Sequence, residues 1–116
     1  MRTIEQKLLR YFKNGWTGHL SERDTIVSDG DLIEAKLWNT TYCKYERSTK
    51  TLTIGVQDAR WQTATTKHRI NAFARLFGVP GLYQEKFVFY WGDGEPYQDV
   101  NVYRNVDLHT LEIPRY

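Results

Sequence analysis

Ala64-Thr65-Thr66-Lys67-His68-Arg69-Ile70-Asn71-Ala72-Phe73-Ala74-Arg75-Leu76-Phe77-Gly78-Val79-Pro80 has a helix written into it from start to stop. Ile70, Phe73, Ala74 and Phe77 stand at i, i+3, i+4 and i+7, the spacing of one buried stripe. Thr65 or Thr66 supplies the N-cap. Gly78 provides the stop, and Pro80 prevents continuation. His68, Asn71, Ala72 and Arg75 fall on the opposite side and are expected to be exposed.

Alternating segments surround this helix. Upstream, Leu52, Ile54 and Val56 alternate with Thr51, Thr53 and Gln57, a strand reached through the turn Ser48-Thr49-Lys50. Gly55 lies on its outer face, open to a neighbouring ring. Leu32 to Arg47 reads as one long strand. Ile33, Ala35, Leu37, Asn39, Thr41, Cys43 and Tyr45 form its core face; Glu34, Lys36, Trp38, Thr40, Tyr42, Lys44 and Glu46 form its solvent face. Asn39 interrupts the apolar set, which predicts a bulge or bend there. Thr25 to Val27 is a shorter strand before the turn Ser28-Asp29-Gly30-Asp31. A first helix opens at Thr3, with Gln6 as capping-box partner and Ile4, Leu8, Tyr11 and Phe12 inward; Asn14-Gly15 ends it. The loop that follows carries Trp16, a large ring to bury.

Between Gln57 and the second helix, Asp58 to Thr63 either continues the strand or leaves the sheet, with Trp61 its only large apolar residue. Downstream, Lys86-Phe87-Val88-Phe89-Tyr90-Trp91 is apolar on both parities, as in a central strand covered on both sides. Gly92 to Tyr97 is a loop and Val100 to Tyr103 a returning strand. Leu111 and Ile113 suit an edge strand. The expectation is one α+β domain over residues 1–116, a mainly antiparallel sheet of about four to six strands with two helices on one face.

Composition narrows the function classes. Charged residues make up 26% and hydrophobic ones 41%, ordinary for a globular protein, but aromatics reach 15%, with four Trp, eight Tyr and five Phe. These rings either fill the core or present stacking and interface surfaces. The single cysteine, Cys43, excludes an internal disulfide and offers no zinc cluster. No apolar stretch reaches the length of a membrane span and no secretory signal opens the chain, so a cytoplasmic protein is expected. The net charge of +2 hides an uneven layout: residues 48–82 carry five Lys/Arg against one Asp/Glu, residues 83–116 three against six. That is mildly dipolar, short of the basic excess of a nucleic-acid footprint.

Two constellations suit binding. The second helix opens with free backbone N–H groups, two threonine hydroxyls, Lys67, His68 and Arg69, a plausible anion or phosphate site. Cations there oppose the helix dipole, by about 0.3–1 kcal/mol, an argument that Lys67 and Arg69 serve something outside the helix. Arg75 extends the basic surface. The solvent face of the long strand alternates Lys36, Trp38, Tyr42 and Lys44, basic and aromatic by turns. Catalytic chemistry has no comparable support. His19, His68 and His109 are scattered, Cys43 lies on the core face, Ser21, Ser28 and Ser48 lack a nucleophile elbow, and Asp93 with Glu95 falls short of a calcium loop. No catalytic residue, metal or cofactor is expected.

The order helix, strand, strand, strand, helix over residues 3–78, with Lys67-His68-Arg69 opening the last helix, resembles the double-stranded RNA-binding domain, which implies phosphate contacts by those three residues. The run from Trp38 through Gly78, with its Tyr-bearing strand, return strand and Thr65-Thr66-Lys67-His68 helix start, resembles segments of small phage-encoded proteins. That resemblance implies a single-domain, non-enzymatic anti-defence factor such as a CRISPR–Cas inhibitor. The expected partner is a host protein or ribonucleoprotein complex, with nucleic acid the alternative. Lys67, His68, Arg69, Arg75, Trp38, Tyr42 and Lys44 are the candidate contacts.

Overall fold

Leu32 to Arg47 folds back on itself instead of running straight. In the computed structural model, which describes residues 2–57 and 62–114, the run divides into β3 (Leu32–Leu37) and β4 (Thr40–Glu46), an antiparallel pair joined by Trp38-Asn39. The bend expected near Asn39 is therefore a hairpin turn, with Trp38 in the left-handed region at φ 56°. The expected parity fails just beyond it, from Thr40 to Tyr42, and resumes at Cys43. Lys36 pairs with Thr41 and Ala35 with Cys43, so Tyr42 is the extra residue of a bulge. Tyr42 and Cys43 are consequently both buried, and Tyr42 does not lie on the solvent face.

Around this hairpin the chain lays down α1 (Thr3–Asn14), β1 (Gly18–His19), β2 (Asp24–Asp29), β5 (Thr51–Ile54), α2 (Ala64–Phe77), the hairpin β6 (Leu82–Glu85) and β7 (Val88–Trp91), then β8 (Asn101–Tyr103). Six strands form one antiparallel sheet in the order β1-β2-β3-β4-β5-β8, and β6 and β7 form a separate two-stranded sheet. The expected α+β architecture is the one observed. Among the described residues five strands separate the helices, against three in the double-stranded RNA-binding domain. Asp58 to Trp61 lie outside the described residues.

One face of the large sheet is apolar and covered by both helices. Ile26, Ile33, Ala35, Cys43, Leu52 and Ile54 are fully buried there, beneath Leu8, Leu9 and Phe12 of α1 and Ile70 and Phe73 of α2. Phe73 stands edge-to-face with Phe12 at 5.0 Å and with Tyr42 at 5.6 Å, which joins the two helices and β4. The other face, with Thr25, Glu34, Lys36, Thr41, Lys44 and Thr53, is half-exposed. No helix of the described residues is long and apolar enough to cross a membrane.

Helix starts are set earlier than the sequence suggests, by one residue for α1 and by two or three for α2. Thr63 caps α2, its Oγ1 accepting from the Thr66 N–H at 3.2 Å, and Gly78 closes it at φ 67° as expected. Arg2 precedes α1, and Glu5, not Gln6, reaches back to the Arg2 N–H at 3.1 Å. Trp16 is not buried; it rests edge-on against Tyr11, half its surface in solvent. Beyond β8 the tail takes a 3-10 turn, Leu108–Thr110, and Leu111 and Ile113 pack on the core without forming an edge strand.

Gly55, at φ 112°, lets the small hairpin dock. A Cβ there would stand 2.8 Å from the Tyr97 Oη and 3.2 Å from Trp91. Tyr97 also donates to the Val56 carbonyl at 2.5 Å and accepts from the Val56 N–H at 2.6 Å. A ring does lie over Gly55, as its bare position in the strand suggests.

The most consequential departure is Arg69. It points inward, only 5% exposed, with its Nε donating to Asp24 Oδ1 at 2.8 Å and its Nη2 to Asp24 Oδ2 at 3.1 Å. Its Nη1 donates to Glu5 Oε2 at 3.3 Å. Asp24 is also held by the Ser21 hydroxyl at 2.6 Å. Burial alone would lower the Arg69 pKa, but the Asp24 hydrogen bond and the charges of Asp24 and Glu5 raise it overall. Ala72, expected in solvent, is buried as well, because α1 closes over that side of α2.

Arg69→Met strands two buried carboxylates and is expected to destabilise the fold by about 3–5 kcal/mol in urea denaturation. Adding Asp24→Leu and Glu5→Met should recover much of that loss, since a buried ion cluster is often no better than apolar packing. Burial raises the Cys43 and Tyr42 pKa values well above their ordinary 9.0 and 10.0. Their contribution to stability is complete below those values and declines as pH rises through the folded ones. Cys43 should react with a thiol-specific chromogenic disulfide only after denaturation; prompt reaction of the native protein would contradict its placement.

Candidate functional site

The start of α2 and the β3–β4 turn, treated separately in the sequence, meet around one cavity of about 360 Å³. Thr63, Thr65 and Thr66 form one wall, Trp38 and Thr40 another, and Arg23, Leu37, Tyr42 and Val56 complete it. The turn is positioned by the Trp38 N–H, which donates to the Arg23 carbonyl at 2.6 Å. Holding a bulky residue at positive φ leaves the indole 62% exposed at the cavity rim. The backbone thus projects the ring outward while the neighbouring Leu37 is buried.

Tyr42 forms part of the same cavity but contributes differently from expectation. It is 1% exposed, and its hydroxyl is buried without a hydrogen-bond partner. Burial, and then the negative charge of Asp24, hold that phenol neutral.

The basic residues at the helix start do not converge. Arg69 faces the core, so it contributes no surface charge. His68 and Arg75 line a second cavity of about 280 Å³ with Arg2, Glu5 and Asn71, where α1 meets α2. Lys67 is half-buried. Lys44 lies elsewhere again, on the open sheet face directly opposite Glu34, whose carboxylate also meets Lys36 at 3.5 Å. Glu34 thus offsets one of the two lysine charges of that face. Arg23 is the cation at the first cavity that sequence reading passed over; its only signal was its place in the turn before β2.

Among the described residues, no group of three or more His, Cys, Asp or Glu side chains is arranged to hold a metal ion. The groups gathered at the two cavities are hydroxyls, one indole, the Arg23 cation and apolar side chains at the first, and cations with Glu5 and Asn71 at the second. They suit contact with a ligand or partner surface.

No curated protein and no solved structure matches this chain. A family model does, over residues 1–109, which among the described residues takes in α1, α2, strands β1 to β8 and both cavities. On that match the chain belongs to the Kyanoviridae Gp96 protein family and is a phage protein.

Proposed function

We propose that this phage protein works by binding and not by catalysis, and that it engages a host macromolecular complex, of which a CRISPR–Cas or other defence assembly is the type intended. The observation that carries the reading is Trp38, held 62% exposed by a left-handed backbone at the rim of the α2 cavity. A rigid, exposed indole beside a partly apolar hollow is the kind of group that dominates protein interfaces. Arg23 and the threonines at the start of α2 supply polar contacts around it.

Nucleic-acid binding through the start of α2 is the alternative, and it has less to work with. Of Lys67, His68 and Arg69, the arginine is neutralised inside the fold by Asp24 and Glu5. Phosphate attraction would then rest on Lys67, His68 and the more distant Arg75.

Trp38→Ala should weaken a purified host complex by about 30-fold or more, the effect of removing a hot-spot aromatic, with no change in thermal midpoint. The measurement is affinity by interferometry for the dominant host species recovered with the wild-type protein. Unchanged affinity would remove Trp38 from the interface. Retardation of a labelled duplex at low salt, steeply reversed by added salt and by Lys67→Ala, would move the assignment to nucleic acid.

A further inference from the structure

Lys86 to Trp91 reads in the sequence as the heart of a sheet, and the structure contradicts it. The run begins with the two-residue tip of the β6–β7 hairpin, Lys86-Phe87, and Phe87 is 92% exposed. Both tip residues are left-handed, Lys86 at φ 50° and Phe87 at φ 67°. Turns of this kind favour Asn-Gly, because glycine and asparagine enter that conformation with little strain. A phenylalanine here is unfavourable twice, once for its backbone and once for its exposed ring.

The ring does not stand alone. Cross-strand register puts Tyr83, Tyr90, Glu85 and Val88 on the outward face of the hairpin, while Leu82, Phe89 and Trp91 are buried beneath. Tyr83 and Tyr90 stack at 5.4 Å, and Tyr83 and Val88 are 40% and 46% exposed. The result is an apolar strip that ends in Phe87. It is held in place from below: the Asn71 side chain accepts from the Leu82 N–H at 2.6 Å and donates to its carbonyl at 2.9 Å. The Tyr97 N–H donates to the Phe89 carbonyl at 3.0 Å, fixing the returning chain along β7. A knob so prepared loses little conformational freedom on docking.

Charge specifies the occupant. Along the segment from Leu82 to Asp99, Glu85, Asp93, Glu95 and Asp99 are exposed against Lys86, and the lobe stays net acidic with Arg75 of α2, which lines a hollow beside Tyr83, counted in. Such a lobe repels phosphates and attracts cationic side chains. We infer that the β6–β7 hairpin is a docking surface for a partner protein, with Phe87 seated in an apolar socket bordered by Lys and Arg side chains. The strip lies on the face of the hairpin turned away from Leu82, Phe89 and Trp91, and its assignment does not depend on the function proposed for the Trp38 cavity.

The experiment places the photocrosslinker p-benzoylphenylalanine at position 87 of the full chain, and at exposed Glu22 as control, in a lysate of the phage host. The inference expects a protein crosslinked from position 87 and not from Glu22. Purified, that protein should bind the wild type at least 30-fold more tightly than it binds Phe87→Gly. It should also bind the double variant Glu85→Lys, Asp99→Lys more weakly than the wild type. Phe87→Gly should meanwhile raise the thermal midpoint by about 2–5 °C, since glycine relieves the turn. Crosslinking to nucleic acid, to a second copy of the chain or to nothing overturns the inference. So does a captured protein indifferent to Phe87→Gly, or a fall in midpoint for that variant. Trp38→Ala, measured in parallel, separates this surface from the other: retained binding by Trp38→Ala leaves the hairpin assignment standing.

Discussion

One guanidinium holds the two helices and the sheet in register. Arg69 of α2 donates to Asp24 of β2 and to Glu5 of α1, and all three are buried. Two carboxylates against one cation would be costly away from water, yet the surroundings offset the excess. Glu5 sits in the first turn of α1, where the helix dipole favours a negative charge, and accepts from the Arg2 N–H. Asp24 takes the Ser21 hydroxyl as well. A fork of N–H donors can satisfy this geometry only with α1, β2 and α2 in one arrangement, so the cluster selects the packing even where apolar contact would tolerate others.

The same interaction decides what α2 shows to the outside. A cation at a helix start opposes the dipole, and the mismatch implies an outside partner for Lys67 and Arg69. For Arg69 the partner lies inside the protein. What remains at the surface is a hydroxyl-lined hollow under Trp38 at one end of α2 and a groove with His68 and Arg75 farther along it. Both belong to a phage protein and lie within residues 1–109, the stretch its family match covers.

The aromatic surplus divides along similar lines. Phe12, Tyr42, Phe73, Phe77 and Tyr45 interlock between the helices and the sheet, and Trp91 with Tyr97 packs on Gly55. Trp16, Trp38, Tyr83 and Phe87 stand in solvent. Two of these exposed rings, Trp38 and Phe87, occupy turn positions with positive φ, where the backbone itself disfavours a large side chain. Core rings are explained by packing. The rings displayed at strained turns are the ones on which both proposed contacts rest.

The sequence by itself determined what repeats locally: α2 with its Ile70, Phe73 and Phe77 stripe and Gly78 stop, the strands on either side of Ser48-Thr49-Lys50, and the α+β class. Such features depend on neighbours three or four residues away, or on alternation along one strand. Only the tertiary structure decided the rest. Arg69 finds its carboxylates 45 and 64 positions distant. The bulge at Tyr42 turns a solvent-parity residue inward. The run from Phe87 to Trp91 is apolar on both parities, but a turn at its start exposes one end and buries the other. In each case a contact between distant elements, or one extra residue in a ladder, reversed which way a side chain faces, and periodicity carries no information about either.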